Sequence, residues 1–232
     1  MSRSYFAFKQ FTVYHDLCAM KVGTDGVLLG AWTDCENAER ILDVGTGSGL
    51  IALMLAQRSQ TDIDAIDVDE NAYKQSSVNF HNSIFSRRIN NYHMDFRQYT
   101  TRKTYDLIVS NPPYFTNSMQ SPDKNRSTAR HTHQLDFETL LRKSNQLLSD
   151  NGRLSIILPY ESLIVIQEIA ERNQLHLSRK TIVRPLENHP PKRVLLEFSK
   201  VISDTEENEL FIEKSRRVYS DDYICLTKDF YL

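Results

Sequence analysis

The sequence contains little cysteine, and its cysteines form no pattern. Cys18, Cys35 and Cys225 are an odd number without a CxxC pair, so we expect no disulfide framework but idle or buried thiols in a reducing cytosol. No stretch approaches the roughly 20 apolar residues that a membrane-spanning helix needs. No apolar run follows a basic start, so we expect no signal peptide. These absences favour a cytoplasmic protein without a membrane partner.

An excess of charge of one sign is also missing. The 28 lysines and arginines nearly balance the 30 aspartates and glutamates, which leaves a net charge of −2. This balance counts mildly against tight non-specific binding of nucleic acid, although it is compatible with a local basic patch. The 232 residues, 40% of them hydrophobic, are enough for one α/β domain with a packed core.

Strands and helices alternate along most of the chain. The pattern predicts an aromatic hairpin over 5–15, and then a different pairing near the end, where 175–183 and 193–200 are strands with no helix between them. Such an order is typical of a doubly wound, mostly parallel α/β sheet with an antiparallel hairpin at its edge. We predict one domain over 1–232: an N-terminal hairpin and covering segment (1–35), a core sheet (40–200) and a C-terminal extension (201–232). The other predicted strands are 41–44, 63–68, 89–94, 105–110 and 154–158, and the C-terminal extension has a strand-like start from Leu210. The predicted helices are a small apolar helix that ends near Trp32, 50–58, 70–82, 137–148, 162–173 and a short closing helix within 219–232.

A glycine-rich loop follows the strand 41–44. Gly45, Gly47 and Gly49 let the backbone turn tightly and approach a ligand closely. The third glycine comes one place earlier than in the dinucleotide fingerprint GxGxxG. The spacing therefore favours an adenosine cofactor that has no pyrophosphate.

Three aspartates stand at the ends of three successive strands. Asp43 is suited to hold a cationic amino group, Asp67 to accept both ribose hydroxyls, and Asp95 to accept the adenine amine. Open α/β sheets bind ligands in the crevice at these strand ends, so we favour a cofactor site over an ordinary turn with solvated acids. The predicted cofactor residues of this crevice are Asp43, Gly45, Thr46, Gly47, Gly49, Asp67, Val68, Asp95, Phe96 and Asn111.

The most specific motif is Asn111-Pro112-Pro113-Tyr114, which follows the strand 105–110. An exocyclic adenine amine is a poor nucleophile, because its lone pair is delocalised into the ring. The Asn111 side-chain oxygen and the Pro112 carbonyl are two acceptors on a stiff backbone that can hold its N–H bonds. Tyr114 is suited to stack on the base. We therefore predict a catalytic set of Asn111, Pro112, Pro113 and Tyr114, which needs neither a metal nor a covalent intermediate; the alternative is a rigid structural turn.

These two motifs together resemble the class I amino-methyltransferases, which include DNA adenine methylases and enzymes that methylate a protein glutamine amide. The segment Met20-Lys21-Val22-Gly23-Thr24-Asp25-Gly26, continuing to Trp32, is similar to the bacterial tRNA1(Val) (adenine-37-N6)-methyltransferase family. The resemblance extends to 126–135 and to the ending Asp229-Phe230-Tyr231-Leu232, so it spans nearly the whole chain.

The resemblance implies a Rossmann-like methyltransferase fold, S-adenosylmethionine as cofactor, no metal, and N6 of adenine 37 in tRNA as the methyl acceptor. It also implies that Lys21, Thr24 and Asp25 close over the cofactor. Gly23 departs from the threonine or similar residue expected in many relatives, which could loosen this segment.

Two segments with more cations than acids are candidates for contacts with RNA phosphates. The first contains Lys124, Arg126 and Arg130, and the second contains Lys192 and Arg193. His131 and His133 have no third ligand at metal spacing, so we interpret them as RNA-facing or structural. For any single residue of these segments, a solvated surface is the simpler interpretation.

Two other function classes stay open at this point. The first is an amino-methyltransferase that acts on DNA adenine or a protein glutamine amide. The short N-terminal segment and the absence of a separate target-recognition domain argue against it. The second is a non-catalytic RNA-binding protein or scaffold on the same fold. The intact Asn111–Tyr114 motif and the three acidic strand ends argue against it, and no obligate protein partner is evident.

Overall fold

The computed structural model describes residues 4–18, 21–113 and 135–232. Four predicted site residues, Tyr114, Lys124, Arg126 and Arg130, lie outside the described residues, as do His131 and His133. The strands are β1 Tyr5–Ala7, β2 Thr12–Tyr14, β3 Arg40–Val44, β4 Asp62–Asp67, β5 Ile89–His93, β6 Tyr105–Ser110, β7 Leu148–Pro159, β8 His176–Leu186, β9 Arg193–Ser199, β10 Glu206–Ser215 and β11 Val218–Tyr219. The helices are α1 Thr24–Trp32, α2 Leu50–Arg58, α3 Glu70–His81, α4 Phe137–Leu147, α5 Leu163–Arg172 and α6 Asp221–Thr227, with 3₁₀ turns at Ser86–Arg88, Phe96–Gln98 and Tyr160–Ser162.

Nine of the described strands form one sheet in the order β11-β10-β8-β9-β7-β6-β3-β4-β5. Strands β5, β4, β3, β6 and β7 are parallel neighbours, whereas β9 runs antiparallel between β7 and β8. The chain moves from β3 outwards to β5 and then returns to β6 on the other side of β3. The point where strand order reverses therefore lies between β3 and β6, where α/β sheets bind ligands. The predicted doubly wound, mostly parallel fold with a C-terminal hairpin is confirmed.

The position predicted for the antiparallel hairpin is wrong in one respect. We expected β8 and β9 at the edge of the sheet, but β10 pairs with β8 in parallel and β11 extends the sheet beyond it. The start of β10 has no periodic apolar signal. Four of its first five residues are acids or asparagine and are exposed, whereas the fifth, Leu210, is buried. The sheet thus continues past residue 200, to Tyr219.

The sheet has an apolar core on each face. Successive residues of β3 and β6 point to opposite sides, so Ile41 and Leu107 belong to one core and Leu42 and Ile108 to the other. The first core is covered by α1, α2 and α6 with the N-terminal hairpin, and the second by α4 and α5. Burial on both faces explains why the central strands are almost continuously apolar.

Helices α1 and α2 are apolar all round because they are buried together. A Cβ on Gly26 would come within 2.9 Å of Leu50 Cδ2, and one on Gly30 within 2.7 Å of Met54 Sδ. These two glycines let the helices approach closely. The contact fixes the start of α2, and with it the end of the glycine-rich loop.

Candidate active site

The glycine-rich loop between β3 and α2 has the backbone conformation that its sequence predicts. Gly45, Gly47 and Gly49 have φ angles of +74°, +57° and +84°, a region that side chains disfavour. A Cβ on Gly49 would lie 2.4 Å from Phe80 Cε1, whereas a Cβ on Gly45 or Gly47 would have no neighbour within 4 Å. Gly49 is therefore required by packing within the protein. Gly45 and Gly47 leave open space at the loop for a ligand.

Asp43 lies beneath this loop. Its side chain is fully buried, and Oδ2 accepts a hydrogen bond of 2.6 Å from Thr46 Oγ1. Burial, together with the negative charge of Asp67, raises the pKa of Asp43 to about 7. Oδ1 has no hydrogen-bond partner among the described residues. Asp43, Thr46 and Gly49 are not among the residues that line the adjacent cleft, so the predicted contact of Asp43 with a cationic amino group stays a prediction.

Asp67 lies at the carboxyl end of β4 and faces the cleft. Its Oδ2 accepts a hydrogen bond from the Gly47 backbone N–H at 2.8 Å, and its Oδ1 accepts one from the Asp69 backbone N–H at 2.9 Å. Burial raises the pKa of Asp67. The Val68 backbone N–H also interacts with this carboxylate. Because the two carboxylate oxygens have about four lone pairs between them, acceptor capacity for a ligand hydroxyl remains. Val68, the next residue, is half exposed and also lines the cleft.

Asp95 and Phe96 follow β5 and line the opposite part of the cleft. Arg97 donates from Nη2 to Asp95 Oδ2 at 2.6 Å and from its backbone N–H to Asp95 Oδ1 at 2.8 Å. The hydrogen bonds from Arg97 lower the pKa of Asp95. The predicted acceptor for an adenine amine is therefore an ionised carboxylate that is held in place by its own neighbour.

Lys143 supports this turn. The sequence places it at the end of the first basic segment, as a candidate for RNA contacts, and did not predict this buried role. Its buried ammonium donates to the carbonyl oxygens of Arg97 and Tyr99, both at 2.9 Å. The same ammonium lies 5.6 Å from the centre of the Phe96 ring. The sequence pattern of α4 does not distinguish a buried lysine from an exposed one, so no sequence signal identifies the role of Lys143.

Asn111, Pro112 and Pro113 follow β6 and line the same cleft. The hydroxyl of Ser110 donates to the carbonyl oxygen of Val44 at 2.9 Å. This hydrogen bond ties the carboxyl ends of β6 and β3 together. It therefore fixes the Asn-Pro-Pro segment beside the glycine-rich loop, as the sequence predicts for adjacent strand ends.

The cleft has a volume of about 430 Å³, within the range usual for small-molecule sites. It brings together residues predicted separately from three strand ends and the glycine-rich loop. Sequence reasoning missed several lining residues, among which Asp69 caps α3 and had a usable N-cap signal. The predicted residues in the lining are Gly45, Gly47, Asp67, Val68, Asp95, Phe96, Asn111, Pro112 and Pro113, and the missed ones are Cys18, Val44, Ile66, Asp69, Ala72, Met94, Ser110 and Leu135.

The N-terminal segment reaches this cleft through Cys18, which no motif indicated. Helix α3 anchors the segment: Asn79 Nδ2 donates to the Tyr14 and Ser48 carbonyl oxygens at 2.8 and 2.7 Å, and Gln75 Oε1 accepts from the Leu17 N–H at 2.9 Å. Partial burial, with the nearby charges of Asp67 and other acids, raises the pKa of the Cys18 thiol to about 11. The thiol is therefore a neutral wall of the cleft.

Three residues expected to cover the cofactor, Lys21, Thr24 and Asp25, are not in the lining of this cleft. Lys21 lines a different groove, and Asp25 Oδ2 accepts a hydrogen bond of 2.9 Å from Arg193 Nε. Their covering role stays a prediction. Lys192, which directly precedes Arg193 and the start of β9, is exposed.

Across 4–18, 21–113 and 135–232, no group of three or more metal-ligating side chains is found. None of the helices in these ranges is long and apolar enough to cross a membrane.

Solved structures share this fold. A predicted O-methyltransferase from Agrobacterium tumefaciens superposes with a TM-score of 0.71 at 18% identity, covering 89% of this chain and 96% of its own. A TehB-like SAM-dependent methyltransferase from Corynebacterium glutamicum gives 0.53 at 20% identity, covering 77% and 89%. The cleft lies where the strand order reverses, between β3 and β6. Together with these structural similarities, this position defines the fold as that of class I S-adenosylmethionine-dependent methyltransferases.

Sequence relatives define the family more narrowly. The family described as "Methyltransferase small domain" matches residues 21–173. Proteins named tRNA1(Val) (adenine(37)-N6)-methyltransferase are 48% identical in Bacteroides fragilis, over 100% of this chain and 99% of the relative, and 49% identical in Phocaeicola vulgatus with the same coverage. The chain therefore belongs to the tRNA1(Val) (adenine(37)-N6)-methyltransferase family, as its sequence motifs predicted.

Proposed function

We propose that this protein transfers a methyl group from S-adenosylmethionine to the N6 amine of adenine 37 in tRNA1(Val). The observation that carries the proposal is the placement of Asn111, Pro112 and Pro113 beside the glycine-rich loop in one cleft. The full-length similarity to relatives with this name supports the choice of tRNA as the substrate. In this proposal, residues 1–232 form one functional unit, which acts on RNA in the cytoplasm.

The residues of the cleft fit a nucleoside cofactor. Gly45 and Gly47 leave open space at the loop, and the Asp67 carboxylate keeps acceptor capacity for a hydroxyl. Asp67 would hold the ribose hydroxyls, Asp95 the adenine amine, and Val68 with Phe96 the two apolar sides of the adenine ring. Asp43, which has an unpartnered oxygen, would balance the amino group. When bound, this cofactor supplies an electrophilic methyl group on a sulfonium.

Asn111 and Pro112 act on the amine that receives the methyl group. The amine donates its two N–H groups in hydrogen bonds, one to the Asn111 side-chain oxygen and one to the Pro112 carbonyl oxygen. This orientation turns its lone pair towards the methyl donor. The two prolines restrict the backbone before the base arrives, so little reorganisation is needed at the moment of reaction. Tyr114 would stack on the base, and Lys124, Arg126, Arg130, Lys192 and Arg193 would contact phosphates.

The test is transfer of radiolabelled methyl groups to total tRNA from a strain without this gene, with DNA and protein in parallel. We expect the label in N6-methyladenosine from tRNA, and its loss in Asn111→Ala. The matched control is Asn208→Ala, because Asn208 is exposed on β10 and its side chain bonds to the nearby surface residue Glu206. Calorimetry should find S-adenosylmethionine bound by Asn208→Ala as by wild type, and bound more weakly but measurably by Asn111→Ala, because Asn111 also lines the cofactor cleft.

Label in DNA or in a protein glutamine would contradict the substrate and leave the cofactor assignment intact. No label in any substrate, with cofactor binding retained, would favour a non-catalytic RNA-binding protein on the same fold. Full activity of Asn111→Ala would contradict the proposed role of the Asn-Pro-Pro segment.

A further inference from the structure

A second concave surface lies between the N-terminal hairpin and helix α6, and we call it the terminal groove. Its volume is about 1160 Å³, above the 300–1,000 Å³ or so that is typical of small-molecule sites. The side chains that matter for the argument are Tyr5, Phe6 and Lys9 from the hairpin, Lys21 from the following segment, and Tyr219 and Lys228 from the C-terminal part. This size suits a polymer better than a metabolite.

Aromatic rings are exposed on both walls of the terminal groove. Tyr5 and Phe6 are 43% and 37% exposed on one wall, and Tyr219 is 49% exposed on the other. Each ring is supported by a neighbour: Tyr5 lies 5.8 Å from Tyr14, and Tyr219 lies 4.9 Å from Tyr223, between ring centres. Supported, exposed rings are the surfaces on which unpaired bases stack without regard to sequence.

The same groove is basic. Lys9, Lys21 and Lys228 line it, and its described lining contains no aspartate or glutamate. Asp221, at the start of α6, lies outside the lining and pairs with Lys214 at 3.3 Å. The chain has a net charge of −2, so these lysines are a local concentration of positive charge. Cations that alternate with exposed aromatic rings favour the binding of a nucleic-acid strand over that of an acidic or apolar protein segment.

The two walls are bonded to each other. The Lys9 backbone N–H donates to the Phe230 carbonyl oxygen at 2.9 Å, and Lys9 Nζ donates to the Lys228 carbonyl oxygen at 2.5 Å. The groove is therefore formed before any partner binds. It also adjoins the cofactor cleft along the chain, because His15 and Lys21 line the groove and Cys18 lines the cleft.

We propose that the terminal groove binds a single-stranded segment of the RNA substrate outside the methylated base. Bases stack on Tyr5 and Tyr219, and phosphates lie near Lys228. This inference rests on the proposed function, because it presumes that the substrate is an RNA. It adds a second contact surface, formed by residues near the two ends of the described chain, to the basic segments predicted from the sequence.

The test measures binding of an unmodified tRNA1(Val) transcript at several salt concentrations. We expect the double variant Tyr5→Ala/Tyr219→Ala to raise the Kd about tenfold or more. The single variant Lys228→Glu should also weaken binding and lower the slope of log K against log salt by about one. Both should keep the Kd of wild type for S-adenosylmethionine, and kcat at saturating RNA should stay unchanged while KM for RNA rises.

The matched control is Arg87→Glu, which makes the same charge change at an exposed arginine outside both the groove and the cleft. It should bind RNA nearly as wild type does. Thermal unfolding identifies a variant that fails to fold. If Tyr5→Ala/Tyr219→Ala does not fold, RNA binding by Lys228→Glu, which removes no packed ring, tests the groove proposal.

Four outcomes separate this inference from the proposed function. If wild type binds and methylates the transcript and the groove variants bind equally well, the groove is not an RNA site, and a protein partner becomes the competing occupant. If groove variants lose binding but wild type transfers no methyl group, the groove proposal stands and the proposed function fails. If wild type does not bind the transcript, both proposals fail. If Arg87→Glu weakens binding as much as Lys228→Glu, the effect is general electrostatics and the groove proposal fails.

Discussion

Asp25 and Arg193 form an ion pair, with 2.9 Å between Asp25 Oδ2 and Arg193 Nε. The two residues are 168 positions apart, and sequence reasoning placed them in different sites, one over the cofactor and the other on RNA. The pair joins the first turn of α1 to the start of β9. The guanidinium of Arg193 is therefore partly committed within the protein, whereas the neighbouring Lys192 is exposed.

Replacement of Lys192 and of Arg193 should have different effects, because Arg193 pairs with Asp25 whereas Lys192 is exposed. Lys192→Ala should lower the salt slope of RNA binding by about one and leave the free energy of unfolding unchanged, because its side chain is exposed. Arg193→Ala should also reduce the free energy of unfolding, by at most about 1 kcal/mol, since it removes the partner of Asp25. Urea unfolding and RNA titrations of both variants are the measurements. Equal stability of the two variants would contradict a structural role for the ion pair.

Two glycines of the same loop should respond differently to alanine. Gly49→Ala introduces a Cβ 2.4 Å from the Phe80 ring at a φ of +84°, so we expect a loss of unfolding free energy of about 2–4 kcal/mol from strain and overpacking. Gly47→Ala meets no atom within 4 Å and should cost only about 1 kcal/mol. It should instead raise the Kd for S-adenosylmethionine, because its Cβ enters the space left for the ligand. Thermal unfolding and calorimetry separate the two effects, and a Gly47→Ala variant with normal cofactor affinity would contradict the assignment.

Asp43 should make stability depend on pH in a direction opposite to that of most carboxylates. Burial raises its pKa to about 7 from 3.8, so between these values the folded protein binds more protons than the unfolded chain. Its contribution to the free energy of unfolding is then largest below about pH 4 and falls as the pH rises to about 7. Replacement by asparagine removes this loss.

The measurement is urea unfolding of wild type and Asp43→Asn from pH 4 to pH 8. Relative to the variant, wild type should lose on the order of 4 kcal/mol across this window, at about 1.4 kcal/mol for each pKa unit. The variant can still accept the hydrogen bond from Thr46 through its amide oxygen. A constant difference between the two proteins at every pH would show that Asp43 titrates as an ordinary carboxyl group.

Lys143 should act on the adenine side of the cleft through the turn that it supports. Lys143→Met keeps most of the side-chain volume but leaves the Arg97 and Tyr99 carbonyl oxygens without their donor. We expect a loss of about 2 kcal/mol of unfolding free energy and a weaker Kd for S-adenosylmethionine. Lys74→Met is the control, because Lys74 is an exposed residue of α3 that pairs with Glu70 of the same helix. Equal cofactor affinity in the two variants would show that the turn keeps its conformation without Lys143.

The central part of the fold was predictable because its signals are local. Strand β3, its glycine-rich loop and helix α2 follow directly from a short apolar run, three glycines and a second apolar run, and α2 has the predicted bounds of Leu50–Arg58. Asp67, Asp95 and the Asn-Pro-Pro segment were predicted to share one cleft from a general property of parallel sheets, whose carboxyl ends share an edge. Asp43 does not line that cleft. Strand β10 was predicted only in part, because its exposed, acidic start carries no periodic apolar signal.

The sequence by itself determined the class of fold, the family, and that the ends of β4, β5 and β6 meet the glycine-rich loop at one cleft, because each of these follows from contiguous motifs. Only the tertiary structure decided that Lys143 supports the turn after β5, that Cys18 forms a wall of the cleft, that Arg193 is held by Asp25, and that the two ends of the described chain form a basic aromatic groove. Those contacts join residues far apart in the chain. Their formation depends on how α3, α4 and α6 pack on the sheet, which no local pattern of residues specifies.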